Sequence, residues 1–564
     1  MTRWFALGLA LVLLLAGAVY LRDLPGPQGT LGHDYAYFLP RMLAGDYWFA
    51  RNGAFQLPWY SPAFGAGLPF YAHPASSYVS LPQALSFVVN PILALQLTLL
   101  ATVALAFGGS WLLLRRVFLL SESSALLGST LFALNGFQAA RMLIGHLSLH
   151  SSALAPLIAY LLLRPLPEKR GPRILLDALL AGLAITYLFQ SGNIYGLPPV
   201  LLACIAIACL AALAGRETRG FALRLALAAL VALVLCAEKL QGSFEYLASF
   251  PREGYPLPGA HNPFVLARIL FCSLFLAPPT QLGNRGFEGL AFPLGRHEWE
   301  YGLSLVPLFV IAIAALRGFR KPRVRPLALL VLVLALPFVL NLHGETWTAF
   351  LKSVPIVKSS SSFVRWFFTY VPFVAVLAAL ACERLRPARF PAGPALLASA
   401  LATFLLLSAD RSLYAREGYD PRDLVEAWQT RSEPPPIHAV VVPPVIDGQM
   451  HLGPQRDDGL TRGESQLYTY EPLFGYRLEW FPRGSVHAGE ALSTTTGGFN
   501  FHDPRAFLNG HGPGTPFAPI DRSVLDRFLR YEPLDDSPTS FTPVLIALAL
   551  LAAGVLAWRV RRAV

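Results

Sequence analysis

Apolar runs long enough to cross a bilayer, separated by short basic clusters, leave this chain few ways to fold. Trp4 to Tyr20, Pro91 to Leu114, Phe363 to Cys382 and Phe541 to Trp558 carry almost no charge. A helix spanning the hydrocarbon core needs roughly twenty apolar residues. Lipid satisfies no backbone polar group, so helices and closed barrels are the only spanning structures. Further runs lie at Ser121 to Ala140, Leu147 to Leu163, Ile174 to Phe189, Tyr195 to Ala214, Phe221 to Ala237, Gly302 to Leu316, Pro326 to Leu342 and Pro391 to Ser408. The reading is an α-helical polytopic membrane protein of about twelve transmembrane helices. Composition agrees: of 564 residues, 54% are hydrophobic and 14% charged, against roughly 25% charged in soluble domains.

The formal net charge of +11 raises nucleic acid as a partner, but its placement argues for none. The basic residues sit between apolar runs, at Arg115-Arg116, Arg164 to Arg173, Arg216 and Arg219, Arg317 to Arg325, Arg384 to Arg389 and Arg559 to Arg562. That is the positive-inside pattern. It places both termini and the short loops in the cytoplasm, of a bacterial inner membrane, and the long loops outside. The expected organisation is a transmembrane domain over 1–408 with outer loops at 21–90 and 239–301. A small extracytoplasmic mixed or β-rich region follows over 409–540, then a final helix and basic tail over 541–564. Within 409–540, Ala439 to Val442 is strand-like, Asp447-Gly448 and Gly497-Gly498 mark turns, and Glu471 to Tyr476 is a compact aromatic piece. Short inner loops hold no nucleotide-driven domain, and no P-loop, GxGxxG, HExxH or GxSxG motif is present. The five Cys lie in apolar stretches without metal-ligand spacing and read as small core hydrophobes.

Chemistry is therefore expected on the outer face. Gly32 to Pro82 is too rich in Pro and Gly to cross a bilayer and too aromatic for a plain solvated loop. Asp34, next to His33, is the leading candidate: a general base toward a hydroxyl, or a metal ligand. Equally, it caps a surface helix whose apolar stripe runs from Tyr35 to Trp48. Arg41 and His73 are substrate-binding candidates in the same loop, although a lone loop His is more often structural. Trp59, Tyr60, Phe64, Phe70, Tyr71 and Tyr78 read mainly as interface anchors, with sugar stacking as the second role. Pro62, Gly65, Gly67 and Pro69 suggest a fixed irregular turn.

Arg141, His146 and His150 form a second group. The two His are four apart and share a face of any helix there, a weak metal signal by itself; a place near a phosphate is equally open. Glu298 and Glu300, in His297-Glu298-Trp299-Glu300-Tyr301, orient an acceptor or mark the interface. Glu238-Lys239 ends an apolar run and is expected to reach water by snorkelling. Arg365 follows Ser359 to Ser362 inside an apolar helix, where a cation is costly unless it meets an acid or a phosphate. It is a candidate phosphate partner.

The layout resembles the GT-C superfamily of integral-membrane glycosyltransferases, with Gly32-His33-Asp34-Tyr35 in the first outer loop. More narrowly it resembles the bacterial YfhO-like membrane proteins. Trp59-Tyr60-Ser61-Pro62 with Gly65 to Phe70, Asn135-Gly136-Phe137 with Gly145-His146, Glu300-Tyr301-Gly302-Leu303 and Ser362 to Trp366 carry that likeness. It implies a polyprenyl-phosphate-linked sugar donor and inverting transfer to an extracytoplasmic glycan, lipid or protein. Asp34 would be the general base, and Arg or His groups would hold the leaving phosphate. His33-Asp34 stands where paired acids are expected, so a divalent metal stays unassigned. The rivals are a transporter or flippase of a lipid-linked glycan and a non-catalytic assembly protein of the envelope. The two halves show no convincing repeat, which a transporter would often have.

Overall fold

The computed structural model describes residues 3–26, 28–64, 68–165, 171–249, 257–276, 296–317, 323–354, 357–358, 360, 362–385, 399, 418–441, 445–446, 449–450, 457–466, 485–487, 527, 529–533 and 540–562. α1 (Arg3–Tyr20) leads to α2 (Tyr35–Asn52) and to a hairpin of β1 (Tyr60–Ser61) with β2 (Leu68–Pro69), paired antiparallel with Tyr60 opposite Pro69. Then come α3 (Leu81–Ser86), α4 (Pro91–Leu112), α5 (Glu122–Ala133), α6 (Gly136–Ile144), α7 (Ala155–Leu163), α8 (Gly171–Gln190) and α9 (Leu197–Leu213). α10 (Phe221–Leu235), α11 (Ala237–Ser249), α12 (Pro263–Phe275), α13 (Val306–Leu316), α14 (Val324–Leu340), α15 (Glu345–Ser353) and α16 (Tyr370–Arg384) follow. The described parts of 409–540 hold α17 (Arg422–Gln429), β3 (Ala439–Val441), β4 (Val445–Ile446), β5 (Gln449–Met450), β6 (Glu464–Gln466) and β7 (Ser485–His487). β3 is central, parallel to β6 and antiparallel to β7, while β4 pairs with β5. α18 (Thr542–Arg562) closes the chain.

α4 is central, packing on α1, α5 and α7, while α8 packs along α10 and α5 along α16. Close helix approach uses small residues, as membrane helices commonly do: Gly128 faces Ala379 and the Ala375 carbonyl, and Gly182 faces Val231. Leu7, Leu14, Leu230, Leu233, Leu551 and Val555 stay exposed on outward helix faces.

The number of spans is corrected. Among the described residues five helical segments are long and apolar enough to cross a membrane: 3–23, 91–117, 171–190, 364–384 and 542–561. They become six if α10 and α11, bent by 68°, count as one. Most of the remaining expected spans are shorter helices. Ser121 to Ala140 is broken where the Asn135 side chain caps α6, and Leu147 to Leu163 begins as a 3-10 turn before α7. Apolar composition counts residues across such breaks, whereas the helices on either side of them are each shorter than a crossing needs. Pro391 to Ser408, apart from Ser399, lies outside the described residues, as do Asp447-Gly448, Glu471 to Tyr476 and Gly497-Gly498.

Three local expectations change as well. α2 is no surface helix: most of it, from Tyr35 to Trp48, is buried, under α17 and the 3-10 turn Asp458–Arg462. Trp59, Tyr60, Phe64, Phe70, Tyr71 and Tyr78 are buried in this layer rather than lying at an interface. Lys239 does not snorkel. It is fully buried and donates to the carbonyls of Ser76, Phe189 and Gln190 at 2.7, 3.2 and 3.0 Å. The last two are C-terminal carbonyls of α8, groups a helix leaves unpaired and a cation suits.

Candidate functional site

The site forms where two backbones meet. α6 ends at Gly145, whose φ of +109° is left-handed. A Cβ there would stand 2.5 Å from Tyr35 N and 2.7 Å from Asp34 C. On the facing segment a Cβ at Gly32 would run into the Leu143 and Ile144 carbonyl groups. Asp34 N donates to Ile144 O at 3.0 Å, and the Tyr35 hydroxyl to Met142 O at 2.6 Å. Glycine at both places lets the start of α2 lie against the end of α6.

Asp34 occupies the N-cap position of α2, yet its side chain makes no capping bond. Its Oδ2 instead meets His146 Nε2 at 2.5 Å, and its Oδ1 lies 3.3 Å from His33 Nε2. On α6, Arg141 Nη1 is 2.9 Å from His146 Nδ1, and Nη2 donates to Glu298 Oε2 at 2.9 Å. The other flank of Glu298 is taken by Arg365, with Nη2 to Oε1 at 2.7 Å and Nε at 3.3 Å. The order is Arg365, Glu298, Arg141, His146, Asp34.

Backbone ties hold these elements together. Gly136 N donates to the Tyr301 and Gly302 carbonyls at 3.2 and 3.0 Å, and Tyr301 OH to Val364 O at 2.6 Å. The Tyr301 ring stacks on Phe137 at 5.3 Å. The segments 135–146, 297–302 and 362–366, far apart in sequence, thus meet at one place. Exposure is graded: the Arg141 side chain is 1% exposed, Arg365 21% and His33 29%. The cluster opens toward His33 and Arg365.

The charges follow from these contacts. Burial alone would raise the Asp34 carboxyl, but the electrostatic pull and hydrogen bond of His146, with His33 and His297 beside it, hold it well below the usual carboxylate range. Burial, aided by Arg365 and Arg141, keeps His146 below its ordinary value against the pull of Asp34. Burial pushes His297 down to about 3. Glu298, which burial would raise, lies well below its ordinary value because Arg141 and Arg365 share it.

Of the sequence candidates, Asp34, His33, Arg141, His146, Glu298 and Arg365 come together. His297 joins them although sequence reasoning passed it over in favour of the adjacent carboxylates; its ring stands 5.1 Å from that of His146 at 87°. Its place beside Glu298 was the available signal. His146 and His150 do not converge: His150 turns to Tyr187 OH and Leu147 O, both 2.6 Å away. Glu300 is half-buried in the loop after Glu298. Arg41 and His73 belong to a separate cavity with Tyr37, Phe64, Ser76 and Tyr78. There Arg41 pairs with Asp457 at 2.6 Å and lies 3.7 Å over the Tyr37 ring. Asp457 carried no signal in sequence.

Asp34, His146 and His297 offer ligand atoms within 4.8 Å of one another, and one carboxylate with two imidazoles suits a divalent transition metal. The surroundings do not suit it. A metal-bound imidazole normally gives its other N–H to an acceptor, and the other nitrogen of His146 faces the Arg141 guanidinium.

Fold and site define a multi-pass α-helical membrane protein with a buried ionic cluster between its helix ends. No protein-family model matches the chain, and no curated protein sequence does. Among solved structures it is similar to the Archaeoglobus fulgidus oligosaccharyltransferase complexed with Zn and sulfate, at 14% identity and TM-score 0.41, over 82% of this chain and 62% of that one. The same enzyme tethered to an acceptor peptide containing the NVT sequon gives 15% identity and TM-score 0.45, over 83% and 64%. The archaeal oligosaccharyltransferase AglB from A. fulgidus, with an inhibitory peptide and a dolichol-phosphate, gives 15% and 0.42, over 84% and 61%. This chain spans less than two thirds of those chains.

Proposed function

We propose that this protein is a membrane glycosyltransferase that moves a sugar from a polyprenyl-phosphate-linked donor to an extracytoplasmic acceptor, with Asp34 as general base. One observation carries the reading: a buried carboxylate, in contact with an imidazole at 2.5 Å, stands beside two guanidinium groups that share a single carboxylate. A base must be ionised and pointed at its proton, and Asp34 is held as the anion. A phosphate leaving group gains charge as its bond to the sugar breaks and needs fixed cations. Arg365 and Arg141 exceed Glu298 by one positive charge, and Arg365 is on the open side. In the step, the acceptor oxygen bonds to the anomeric carbon and its proton passes to Asp34. The carbon–oxygen bond to phosphate breaks with its electron pair on phosphate. The motif order that resembles GT-C glycosyltransferases agrees with this reading.

The test uses purified protein in nanodiscs, a panel of radiolabelled polyprenyl-phosphate sugars and extracted envelope glycans as acceptor. Wild type should release free polyprenyl phosphate. Asp34→Asn should lose at least about 100-fold, the usual size of a general-base contribution, in protein that still purifies folded. Full release by a well-folded Asp34→Asn would remove the assignment.

A further inference from the structure

We propose that Arg141 is a positioning residue that fixes His146 as the neutral, Nε2-protonated imidazole, so that His146 serves Asp34 as a hydrogen-bond donor and not a divalent cation as a ligand. A guanidinium carries five N–H groups and no usable lone pair, and it keeps its proton at every working pH. The 2.9 Å contact between Arg141 Nη1 and His146 Nδ1 therefore has one polarity: Arg141 donates and Nδ1 accepts. A neutral imidazole has a single N–H, which must then sit on Nε2. Nε2 faces Asp34 Oδ2 at 2.5 Å, and a carboxylate anion accepts it. This one assignment satisfies both contacts. The Nδ1–H tautomer and the imidazolium each put N–H against N–H at Arg141.

Arg141 has little room to yield. Its side chain is 1% exposed, Nη2 is held by Glu298 at 2.9 Å, and its guanidinium carbon lies 5.2 Å over the Phe137 ring. Glu298 is held in turn by Arg365. A cation on Asp34, His146 and His297 would take the Nε2 lone pair and send the proton to Nδ1, against Arg141. Two guanidinium groups close by add repulsion toward a dication. His297 then serves by its edge-to-face contact with His146, and Asp34 Oδ2 is committed to His146 during proton transfer. The inference deepens the assignment of Asp34 as base and rests on it only for that last consequence.

The test reads the tautomer without turnover. Protein with 15N-labelled histidine is placed in nanodiscs, and the His146 signals are assigned by difference from His146→Gln. A protonated Nε2 and a bare Nδ1, unchanged by chelator or added zinc, are expected, together with substoichiometric zinc and manganese by elemental analysis. Arg141→Lys, which keeps a donor, should keep the tautomer. Arg141→Met, which has no donor, should release it and gain one equivalent of zinc. Two results overturn the proposal: a protonated Nδ1 in wild type, or one equivalent of copurified metal that Asp34→Asn or His297→Gln sheds. The wild-type readouts decide the matter even where Arg141→Met fails to fold. Absent transferase activity with an intact tautomer would sink the proposed function and leave the lock standing.

Discussion

Arg141 Nη2 and Glu298 Oε2 approach to 2.9 Å with neither side chain more than 7% exposed. Removing one member of a buried pair strands the other, at a cost of about 3–5 kcal/mol. Glu298→Gln leaves two guanidinium groups facing a neutral amide, so it should lose stability in that range by denaturant unfolding in detergent. Combining it with Arg141→Met should cost less than the two single losses added, because the sites are in contact. A loss below about 0.5 kcal/mol for Glu298→Gln, typical of an ordinary surface change, would mean that the pair contributes nothing.

Gly145 and Gly53 both have positive φ, +109° and +74°, yet only one is crowded. A Cβ at Gly53 meets nothing within 4 Å, while at Gly145 it meets the Asp34 and Tyr35 backbone. Gly53→Ala should cost only the backbone penalty of its positive-φ, extended conformation, roughly 1–3 kcal/mol. Gly145→Ala should cost several-fold more and lower Asp34-dependent turnover by about 100-fold, since a displacement of about 1 Å suffices for that. Thermal unfolding and donor release separate the two, and equal effects would show that the close approach is unimportant.

Asp458 should make the stability of the fold fall as pH rises toward neutrality. Burial, with Asp457 and Asp423 beside it, pushes its carboxyl up to about 7, although the Tyr419 hydroxyl donates to it at 2.7 Å. An unfolded Asp titrates near 3.9. Below that value both states are protonated and Asp458 contributes nothing to the pH dependence. Above it the unfolded chain releases a proton that the folded chain keeps, so stability falls with rising pH until the folded group also ionises near 7. The slope is about 1.4 kcal/mol per pH unit. Asp458→Asn should flatten the fall in Tm between about pH 4 and 7, and an unchanged profile would remove the argument.

Much of the site could be named from sequence one residue at a time. Asp34, Arg141, His146, Glu298 and Arg365 stand out as ionisable groups in apolar or aromatic surroundings, where a charge needs a reason. Their union could not be named. Glu298 lies 157 residues from Arg141 and 67 from Arg365, and periodicity carries no information at such separations. The choice between cap and base for Asp34 was likewise open, because both need the same residue before the same helix. His297 escaped notice because its place depends on the rings it packs against.

Membrane character was written in the sequence alone, since the cost of leaving backbone and charge in lipid is paid locally, run by run. The number of continuous spans was decided by tertiary structure, because breaks such as that at Asn135 are stabilised by a cap and by neighbouring helices. The same holds for the burial of α2, the inward turn of Lys239 and the pairing of His146 with Asp34. Each places a polar group where only partners distant in sequence can satisfy it, and those partners arrive only when the chain has folded.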